Sequence, residues 1–395
     1  MFSHSALFRA RIITGVVLLG ATMALGLAGG IPSNATAQVV GLQSVSATQV
    51  SSGRIHTCAL LSNHSVECWG WNMVGDPDAS IPVVLTGRSL TPVPVGGITN
   101  ATAVSAGYDH SCALLSDNRV ECWGSDERGY SLDPVLVSGI TNATAVSAGE
   151  QGTCALLSNH RIECWGAGLF GGLGNGTTQD SATPVFVRGI MHATQISSGR
   201  LHTCALLSNR RIECWGYNRD GELGNGKRVT SRSGVATPVR VKGITNATQI
   251  SAGGAHTCAL LSNHRIKCWG LNGVGQLGNG KKTRSLIPVP ASGITNATQV
   301  SAGGNHTCAL LSNHKVKCWG YNGEGELGNL TNERGATPVF VRGITNATKV
   351  SAGGARTCAL LSNHKVKCWG YNGYGQLGNG TEDDSATPVG VVGLR

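Results

Sequence analysis

The sequence is poor in charged residues and has no segment with a sustained helical period. Only 13% of the 395 residues are Asp, Glu, Lys or Arg, whereas 57 are glycine. Helix interiors tolerate glycine poorly, while turn-dense β structure uses it at positive φ. The lack of an apolar period of about 3.6 residues therefore predicts almost no helix and argues against a helical solenoid.

The sequence also lacks the short motifs of common enzyme chemistries. It contains no Walker phosphate loop, no nucleophile elbow and no pair of carboxylates arranged for acid/base catalysis. The formal net charge is +10, but the basic residues are not interleaved with exposed aromatic residues, so the signal for nucleic acid is weak. We therefore expect a non-catalytic protein without a cofactor or a metal.

What the sequence does contain is one phrase that returns seven times. It reads Cys-Ala-Leu-Leu-Ser, three turn residues, Val or Ile, Glu or Lys, then Cys-Trp-Gly, and its starts are 42 to 54 residues apart. A period in this range indicates a solenoid, a propeller or another array of stacked units. The phrase uses all fourteen cysteines, in pairs ten positions apart: Cys58 and Cys68, Cys112 and Cys122, Cys154 and Cys164, Cys204 and Cys214, Cys258 and Cys268, Cys308 and Cys318, Cys358 and Cys368.

The fifth repeat, from Ala247 to Ile294, shows the content of one unit. It contains a short strand running into glycines, two runs of β-forming residues around a three-residue polar turn, a glycine-rich loop, and a proline-bearing strand suited to a sheet edge. Four short strands per unit are typical of a propeller blade. We therefore predict an all-β, seven-bladed β-propeller of about 50-residue repeats.

The cysteine spacing predicts the register of the central hairpin. If Cys258 faces Cys268, then Leu260 faces Ile266 and the loop has an odd number of residues. Opposed residues of this kind lie within reach of a disulfide. Reduced, buried cysteines are the alternative. Zinc is disfavoured, because one hairpin offers two ligands and structural sites use four. We favour seven disulfides, one within each hairpin.

The first 37 residues do not belong to the repeat. Two arginines precede an apolar run at 12–29, and an Ala-x-Ala site follows at 35–37. This order predicts a signal peptide over 1–37 and a propeller over 38–395 without a membrane span. An uncleaved anchor is the alternative, because about 18 apolar residues can just cross a bilayer. With the paired cysteines, it predicts a secreted, periplasmic or cell-surface protein.

Three segments carry a family resemblance: Gly-x-x-His-Thr-Cys-Ala-Leu-Leu at 253–261, Val-Lys-Cys-Trp-Gly-Tyr-Asn-Gly-Tyr-Gly-Gln-Leu-Gly-Asn-Gly at 366–380, and Ala-Thr-Pro-Val at 386–389. They resemble repeats of the regulator-of-chromosome-condensation family. The resemblance covers roughly residues 40–395 and implies a seven-bladed propeller. Repeats 1 and 2 depart from it, since their Gly-Gln-Leu-Gly-Asn-Gly segment is absent or degraded. We also expect strands from the two termini to share a last blade and so to close the ring.

Two residue sets recur at one position per blade. A histidine stands two residues before the first cysteine in five blades, at His56, His110, His202, His256 and His306. A metal ring or an acid/base set is conceivable, but a hydrogen bond that ties the strand to a neighbour is the favoured interpretation. The Cys-Trp-Gly tryptophans could form a carbohydrate platform, but filling of the contact between blades is favoured.

Basic residues form the candidate binding surface. Six follow the hairpin turns and predict a basic circlet at one face: Arg119, Arg161, Arg211, Arg265, Lys315 and Lys365. Five stand in the variable loops of repeats 4 and 5: Lys227, Arg228, Lys281, Lys282 and Arg284. Ordinary solvated turn residues are the alternative for the first set. The second set could attract an anionic polymer or an acidic protein surface.

The sequence therefore predicts a secreted, monomeric, non-catalytic binding module that recognises a protein or an anionic cell-surface ligand through variable loops on one face. Two alternatives stay open. The family resemblance implies nucleotide exchange on a small GTPase, which fits poorly with paired cysteines and a signal peptide. A polysaccharide-active enzyme would need carboxylates or a tyrosine that converge on the central channel.

Overall fold

Seven four-stranded antiparallel sheets surround a central channel. The structure, a computed structural model, describes residues 45–71, 87–126, 129–150, 152–229 and 234–394. Each sheet uses four strands that are consecutive in the chain, and its innermost strand contacts the innermost strand of the next sheet. Because β1 also contacts β25, the ring is closed. The prediction of an all-β, seven-bladed propeller with four strands per blade is confirmed.

The strand bounds repeat closely from blade to blade. Blade 1 contains β1 (Ala47–Ser52), β2 (His56–Leu61), β3 (Val66–Trp71) and β4 (Arg88–Pro94). Blade 2 contains β5 (Ala101–Ala106), β6 (His110–Leu115), β7 (Val120–Asp126) and β8 (Gly129–Leu136). Blade 3 contains β9 (Ala143–Ala148), β10 (Gly152–Leu157), β11 (Ile162–Gly166) and β12 (Ser181–Phe186). Blade 4 contains β13 (Ala193–Ser198), β14 (His202–Leu207), β15 (Ile212–Gly216) and β16 (Val235–Arg240).

The other three blades follow the same order. Blade 5 contains β17 (Ala247–Ala252), β18 (His256–Leu261), β19 (Ile266–Gly270) and β20 (Ser285–Pro290). Blade 6 contains β21 (Ala297–Ala302), β22 (His306–Leu311), β23 (Val316–Gly320) and β24 (Gly335–Phe340). Blade 7 contains β25 (Ala347–Ala352), β26 (Arg356–Leu361), β27 (Val366–Gly370) and β28 (Ser385–Gly390). Among the described residues, the one helical segment is a 3-10 turn at Leu169–Gly171.

The central hairpins have the register that the cysteine spacing predicts. In blade 5, Cys258 pairs with Cys268 and Leu260 with Ile266. The turn holds three residues, and its last residue, His264, has a φ of 60°. Asn and His adopt this left-handed conformation more readily than most residues. The equivalent residue has positive φ in every blade, including Arg210 in blade 4.

Seven disulfides join the hairpins, as predicted. Each pair is ten residues apart, with a Cα–Cα distance of 4.0 to 4.1 Å, and no described cysteine is free. Closing a loop of this size adds about 3 kcal/mol per disulfide to the free energy of unfolding, if the effect is the lost entropy of the unfolded chain. All fourteen cysteines are at most 2% exposed. The disulfides therefore lie inside the blades and have no access to solvent.

This burial predicts that a thiol reductant leaves the disulfides intact while the protein is folded, because thiolate attack needs access to sulfur. Incubation with dithiothreitol, followed by alkylation and mass measurement, should find seven disulfides in native buffer. The same treatment in concentrated guanidinium should find fourteen alkylated cysteines. Rapid reduction in native buffer would contradict the burial.

The Cys-Trp-Gly tryptophans fill the contacts between blades, as favoured from the sequence. Trp69 of blade 1 lies in one apolar cluster with Leu360, Val366 and Leu377 of blade 7. Its Nε1 donates to the carbonyl oxygen of Gln376 at 2.9 Å. Trp165, which faces the degraded loop of repeat 2, is the exception, since its buried Nε1 has no acceptor among the described residues. These tryptophans are buried and unavailable to a ligand.

The prediction that strands from the two termini share a blade is wrong. Each repeat already supplies four strands in order, from innermost to outermost, so blades 1 and 7 are each complete. The ring closes by contact between the two blades, where Gly354 N donates to Gly53 O at 3.0 Å and Ser52 N donates to Ser351 Oγ at 2.9 Å. The residues before 45, which include the N-terminal segment expected to close the ring, lie outside the described residues.

The predicted signal peptide, residues 1–37, also lies outside the described residues and stays a prediction. In the part of the chain that the structure describes, no helix has the length and apolar character of a membrane span.

Candidate functional site

The strand order gives the propeller two chemically different ends. At one end lie the turns from the first to the second strand of each blade and the loops from the third to the fourth strand. We call it the channel-mouth end. At the other end, the hairpin end, lie the disulfide hairpin turns and the links to the next blade. The hairpin end repeats nearly the same residues seven times, whereas the channel-mouth end differs from blade to blade.

A closed ring of backbone hydrogen bonds surrounds the channel mouth. In each blade, the residue after a glycine donates its N–H to the equivalent glycine carbonyl of the next blade, at 2.9 to 3.2 Å. We call this ring the glycine collar. Its seven bonds are Arg54 to Gly107, Tyr108 to Gly149, Glu150 to Gly199, Arg200 to Gly253, Gly254 to Gly303, Gly304 to Gly353, and Gly354 to Gly53.

The collar borders a depression of about 600 Å³, which we call the cup. The residue after the collar glycine carries a side chain in four blades, at Arg54, Tyr108, Glu150 and Arg200. The same position is glycine in blades 5, 6 and 7. A Cβ at Gly254 would collide with the carbonyl of Gly304, so packing requires the bare backbone there. The cup therefore has one wall of side chains and one wall of glycine backbone.

The charges in the cup wall compensate one another. Arg200 Nε and a Glu150 carboxylate oxygen are 2.8 Å apart. The Arg54 guanidinium stacks on the Tyr108 ring, 3.8 Å from its centroid. Burial raises the pKa of Asp109, and the nearby Arg54 charge opposes that rise. Burial likewise raises the pKa of Glu150 against the effect of Arg200. The wall thus presents one ion pair, Glu150 with Arg200, and an arginine charge at Arg54 that Asp109 offsets at longer range.

An aromatic cluster stands above the glycine wall, between blades 7 and 1. The rings of Trp71 and Tyr374 meet edge to face with centroids 4.9 Å apart, and those of Tyr371 and Tyr374 are 6.0 Å apart. Arg88 lies 5.2 Å from the Tyr374 centroid and pairs with Glu382 at 3.0 Å. Sequence reasoning missed this cluster. The available signal was the residue after Trp-Gly, which is aromatic in blades 1, 4, 6 and 7.

The structure divides the predicted basic residues between the two ends. Arg119, Arg161, Arg211, Arg265, Lys315 and Lys365 follow the turns at the hairpin end, where all but Arg211 are exposed. Lys227, Arg228, Lys281, Lys282 and Arg284 lie in third-to-fourth-strand loops at the channel-mouth end and are exposed. The two sets therefore cannot serve one binding site. As a binding surface, each set stays a prediction.

Several of these basic side chains already have partners within the chain. Arg119 pairs with Asp117 at 2.6 Å, and Arg284 pairs with Asp220 of the neighbouring blade at 2.6 Å. Arg161 lies over the Phe186 ring, 3.8 Å from its centroid. Exposed ion pairs of this kind contribute little to stability.

The recurrent histidines are buried and hold the blades together. His306 Nε2 donates to Thr357 Oγ1 at 2.8 Å, and Thr357 Oγ1 donates to the Glu326 carbonyl oxygen at 3.1 Å. Equivalent contacts join His56 to Ser111, His110 to Thr153, His202 to Thr257, and His256 to Thr307. Burial lowers the pKa of His56 and His256 to about 3 and that of His202 and His306 to about 4. The hydrogen-bonding interpretation is therefore confirmed.

Blade 7 carries an arginine at this position. The Arg356 side chain is 1% exposed, and its Nε donates to Thr57 Oγ1 of blade 1 at 2.7 Å. Its terminal nitrogens donate to the carbonyl oxygens of Arg54, at 3.1 Å, and His56. Burial lowers the pKa of Arg356 to about 9. Arg356 thus joins blades 7 and 1 with three bonds, whereas each histidine at this position makes one bond to the next blade.

Blade 3 carries a glycine, Gly152, at the same position. A cavity of about 20 Å³ remains between Gly152, Leu173, His202 and Thr203. We expect Gly152→His to restore the bond to Thr203 and to raise the free energy of unfolding by about 1 kcal/mol. Urea denaturation measures the change, with Gly152→Ala as the control for loss of glycine flexibility. A histidine variant less stable than the alanine variant would contradict the restored bond.

Two glutamates are buried in the loops behind the channel mouth. Glu222 and Glu326 are at most 1% exposed, and each leaves one carboxylate oxygen without a hydrogen-bond partner among the described residues. The other oxygen accepts from a backbone N–H, of Asp220 and Glu324 respectively. Burial raises the pKa of both carboxyls to about 7. Blades 5 and 7 have glutamine at this position, Gln276 and Gln376.

The described residues contain no group of three His, Cys, Asp or Glu side chains that could hold a metal. Glu150 is the carboxylate that lines the cup, and it pairs with Arg200. Glu324 and Asp384 hydrogen-bond to each other on the loops of blades 6 and 7, which raises the pKa of Glu324 beyond the effect of burial. Neither arrangement is a pair of carboxylates facing each other across the cup.

The chain is similar to known propellers in sequence and in structure. The family model for the RCC1-like domain matches residues 131–395, and that for the regulator of chromosome condensation (RCC1) repeat matches residues 101–129. Protein pim1 of Schizosaccharomyces pombe is 32% identical over 99 residues. That match spans 22% of this chain and 18% of pim1, so it covers about a fifth of the relative.

Solved structures show the same fold. Prp20p of Saccharomyces cerevisiae, described with its binding to Gsp1p and histones, has a TM-score of 0.68 at 21% identity over 78% of this chain and 80% of that chain. Human WBSCR16 has a TM-score of 0.70 at 20% identity over 77% and 85% of the two chains. Yeast RCC1 (Prp20) bound to Kap60 has a TM-score of 0.72 at 18% identity over 96% and 91%. With a closed ring of seven blades and a family match over well more than half of its length, the chain belongs to the RCC1-like domain family.

Proposed function

We propose that the protein is a secreted, non-catalytic binding module that holds an extracellular macromolecule at its channel-mouth end. One observation carries the proposal: among seven nearly identical blades, four carry an arginine, a tyrosine or a glutamate at the collar position while three carry glycine, and these differences surround the cup. Rigid folds commonly carry their binding residues on variable loops at one end of a uniform scaffold. Seven buried disulfides support an oxidising compartment.

The protein-binding relatives support recognition of a macromolecule. Prp20p is described as binding Gsp1p and histones. Nucleotide exchange on a small GTPase is less well supported for this chain, because seven buried disulfides are typical of proteins outside the reducing cytosol. The exposed loop residues Lys227, Arg228, Lys281 and Lys282 would favour an approaching anionic surface over long range.

Matched variants at the two ends test this function. Fractionation of the producing cells should first find the protein outside the cytosol. Labelled protein should then bind to those cells or to components of their medium. Arg54→Ala with Tyr108→Ala should reduce that binding by about tenfold or more, since aromatic and arginine anchors dominate interfaces. Arg265→Ala with Lys315→Ala, at the hairpin end, is the control. Equal binding by both double variants would contradict use of the channel-mouth end.

A further inference from the structure

The cup is built to hold a ligand through side chains. Each innermost strand has an edge toward the neighbouring blade, and side chains already occupy its backbone groups. Ala106 N donates to Ser51 Oγ at 2.9 Å, and Gln49 bonds both the N–H and the carbonyl oxygen of Val104. The serine bond recurs at all seven seams. An extended peptide therefore finds no free strand edge here for β-augmentation.

The cup also selects against a strongly charged ligand. Its charged lining residues are Arg54, Glu150 and Arg200, and Arg54 lies beside Asp109. The Glu150–Arg200 pair, at 2.8 Å, leaves little net charge toward the cup. These planar groups still offer donors and acceptors in fixed geometry, as the guanidinium fork and the carboxylate do in general. Such pairs suit a neutral ligand rich in hydroxyl groups.

The aromatic cluster adds flat apolar surface beside these polar groups. Trp71, Tyr371 and Tyr374 are half-buried, so part of each ring faces solvent. Perpendicular packing at 4.9 and 6.0 Å holds the rings in different planes. An aromatic ring beside hydrogen-bonding groups matches a pyranose, whose C–H face is apolar and whose edge carries hydroxyls. A cup of about 600 Å³ is in the usual range for a small-ligand site.

We infer that the cup binds one or two pyranose rings of a neutral polysaccharide, with the face of one ring on Tyr374 and hydroxyls toward Arg54, Glu150 and Arg200. This inference rests on the proposed function, since it names the class of macromolecule held at the channel-mouth end. A protein that inserts a loop into the cup is the competing occupant.

The seven Cys-Trp-Gly tryptophans are buried, so Trp71, the eighth tryptophan, is the one that can report on a ligand. The full-length protein is titrated with cellohexaose, maltohexaose, chitohexaose and laminarihexaose while tryptophan fluorescence is recorded. At least one should give a saturable change. Tyr374→Ala should weaken that binding about tenfold or more, the cost of losing one anchoring contact. Thr345→Ala, at an exposed position of the hairpin end, should leave that binding unchanged.

Calorimetry of the same titrations provides a readout that does not depend on Trp71, and urea denaturation shows whether Tyr374→Ala is folded. Should none of the four saccharides bind at millimolar concentration, or should Tyr374→Ala bind them as well as the wild type, the inference is overturned. If binding to cells is then still lost in the Arg54 and Tyr108 variant, the ligand at the channel-mouth end is another class of macromolecule and the proposed function stands. If the Arg54 and Tyr108 variant binds cells as well as the wild type does, both the inference and the proposed function are contradicted.

Discussion

Replacing Arg356 by alanine is expected to lower the free energy of unfolding by about 3 kcal/mol, because three acceptors lose a charged hydrogen-bond donor. Those acceptors are Thr57 Oγ1 and the carbonyl oxygens of Arg54 and His56. All three belong to blade 1, so the loss falls on the one seam where no peptide link joins neighbouring blades. Urea denaturation followed by circular dichroism measures the change.

The other blades supply a graded control for this prediction. His306 of blade 6 makes a single bond to Thr357, so Arg356→His should restore one of the three lost bonds. Its stability should lie between those of the wild type and the alanine variant. Arg265→Ala, at an exposed turn, should change stability by less than about 0.5 kcal/mol. Equal stability of the alanine variant and the wild type would show that Arg356 does not hold the seam.

The double variant Glu222→Gln, Glu326→Gln is expected to be more stable than the wild type above pH 7 and equally stable near pH 4. The folded protein raises the pKa of both carboxyls from 4.5 to about 7. Between these values the folded state binds more protons than the unfolded state, so stability falls as pH rises through this range. A shift of this size corresponds to about 3 kcal/mol for each carboxyl. The glutamines remove this loss and reproduce the residue that blades 5 and 7 carry.

The buried histidines make the comparison between variants necessary. The pKa of His56, His202, His256 and His306 is lowered, so these groups remove stability as pH falls below about 6.5. In the wild type, the glutamates therefore lower the free energy of unfolding as pH rises, while the histidines lower it as pH falls. The difference in free energy of unfolding between the double variant and the wild type, measured from pH 4 to pH 8, isolates the contribution of the two glutamates. Glu333→Gln, on an exposed loop residue, is the control. A difference that does not change with pH would contradict burial of ionisable carboxyls.

Most of the scaffold was predictable because it depends on contacts within one repeat. Cys258 and Cys268 are ten residues apart in one hairpin, so their spacing alone sets the register and the turn. Features that depend on the next blade were harder to predict. Glu222 lies in a glycine-rich loop for which the sequence predicts exposure, yet the following blade covers it. Trp269 and Thr257 of that blade both donate to the backbone carbonyl of Glu222. Arg356 broke the histidine pattern in the sequence, but its partners lie about 300 residues away.

The candidate site was predictable only in part. The sequence indicates variable loops and basic residues, but not that the hairpin turns and the loops lie at opposite ends. The aromatic cluster was missed because it unites Trp71 with Tyr371 and Tyr374, which meet only once the ring is closed. The closed ring was predicted correctly, but the contacts that close it were not. A blade shared between the termini was expected, because the sequence does not show that blades 1 and 7 each contain four strands of their own.

The complete terminal blades have a consequence for assembly. If the seam opens, one end of the chain exposes the Arg356 guanidinium and the Gly354 amide, and the other exposes Thr57 and the Gly53 carbonyl. These groups complement each other between two molecules as well as within one. Contacts of this head-to-tail type continue into a filament when they do not close on themselves. We therefore expect that opening of this seam, and not of the other six, creates the complementary ends that such head-to-tail contacts need.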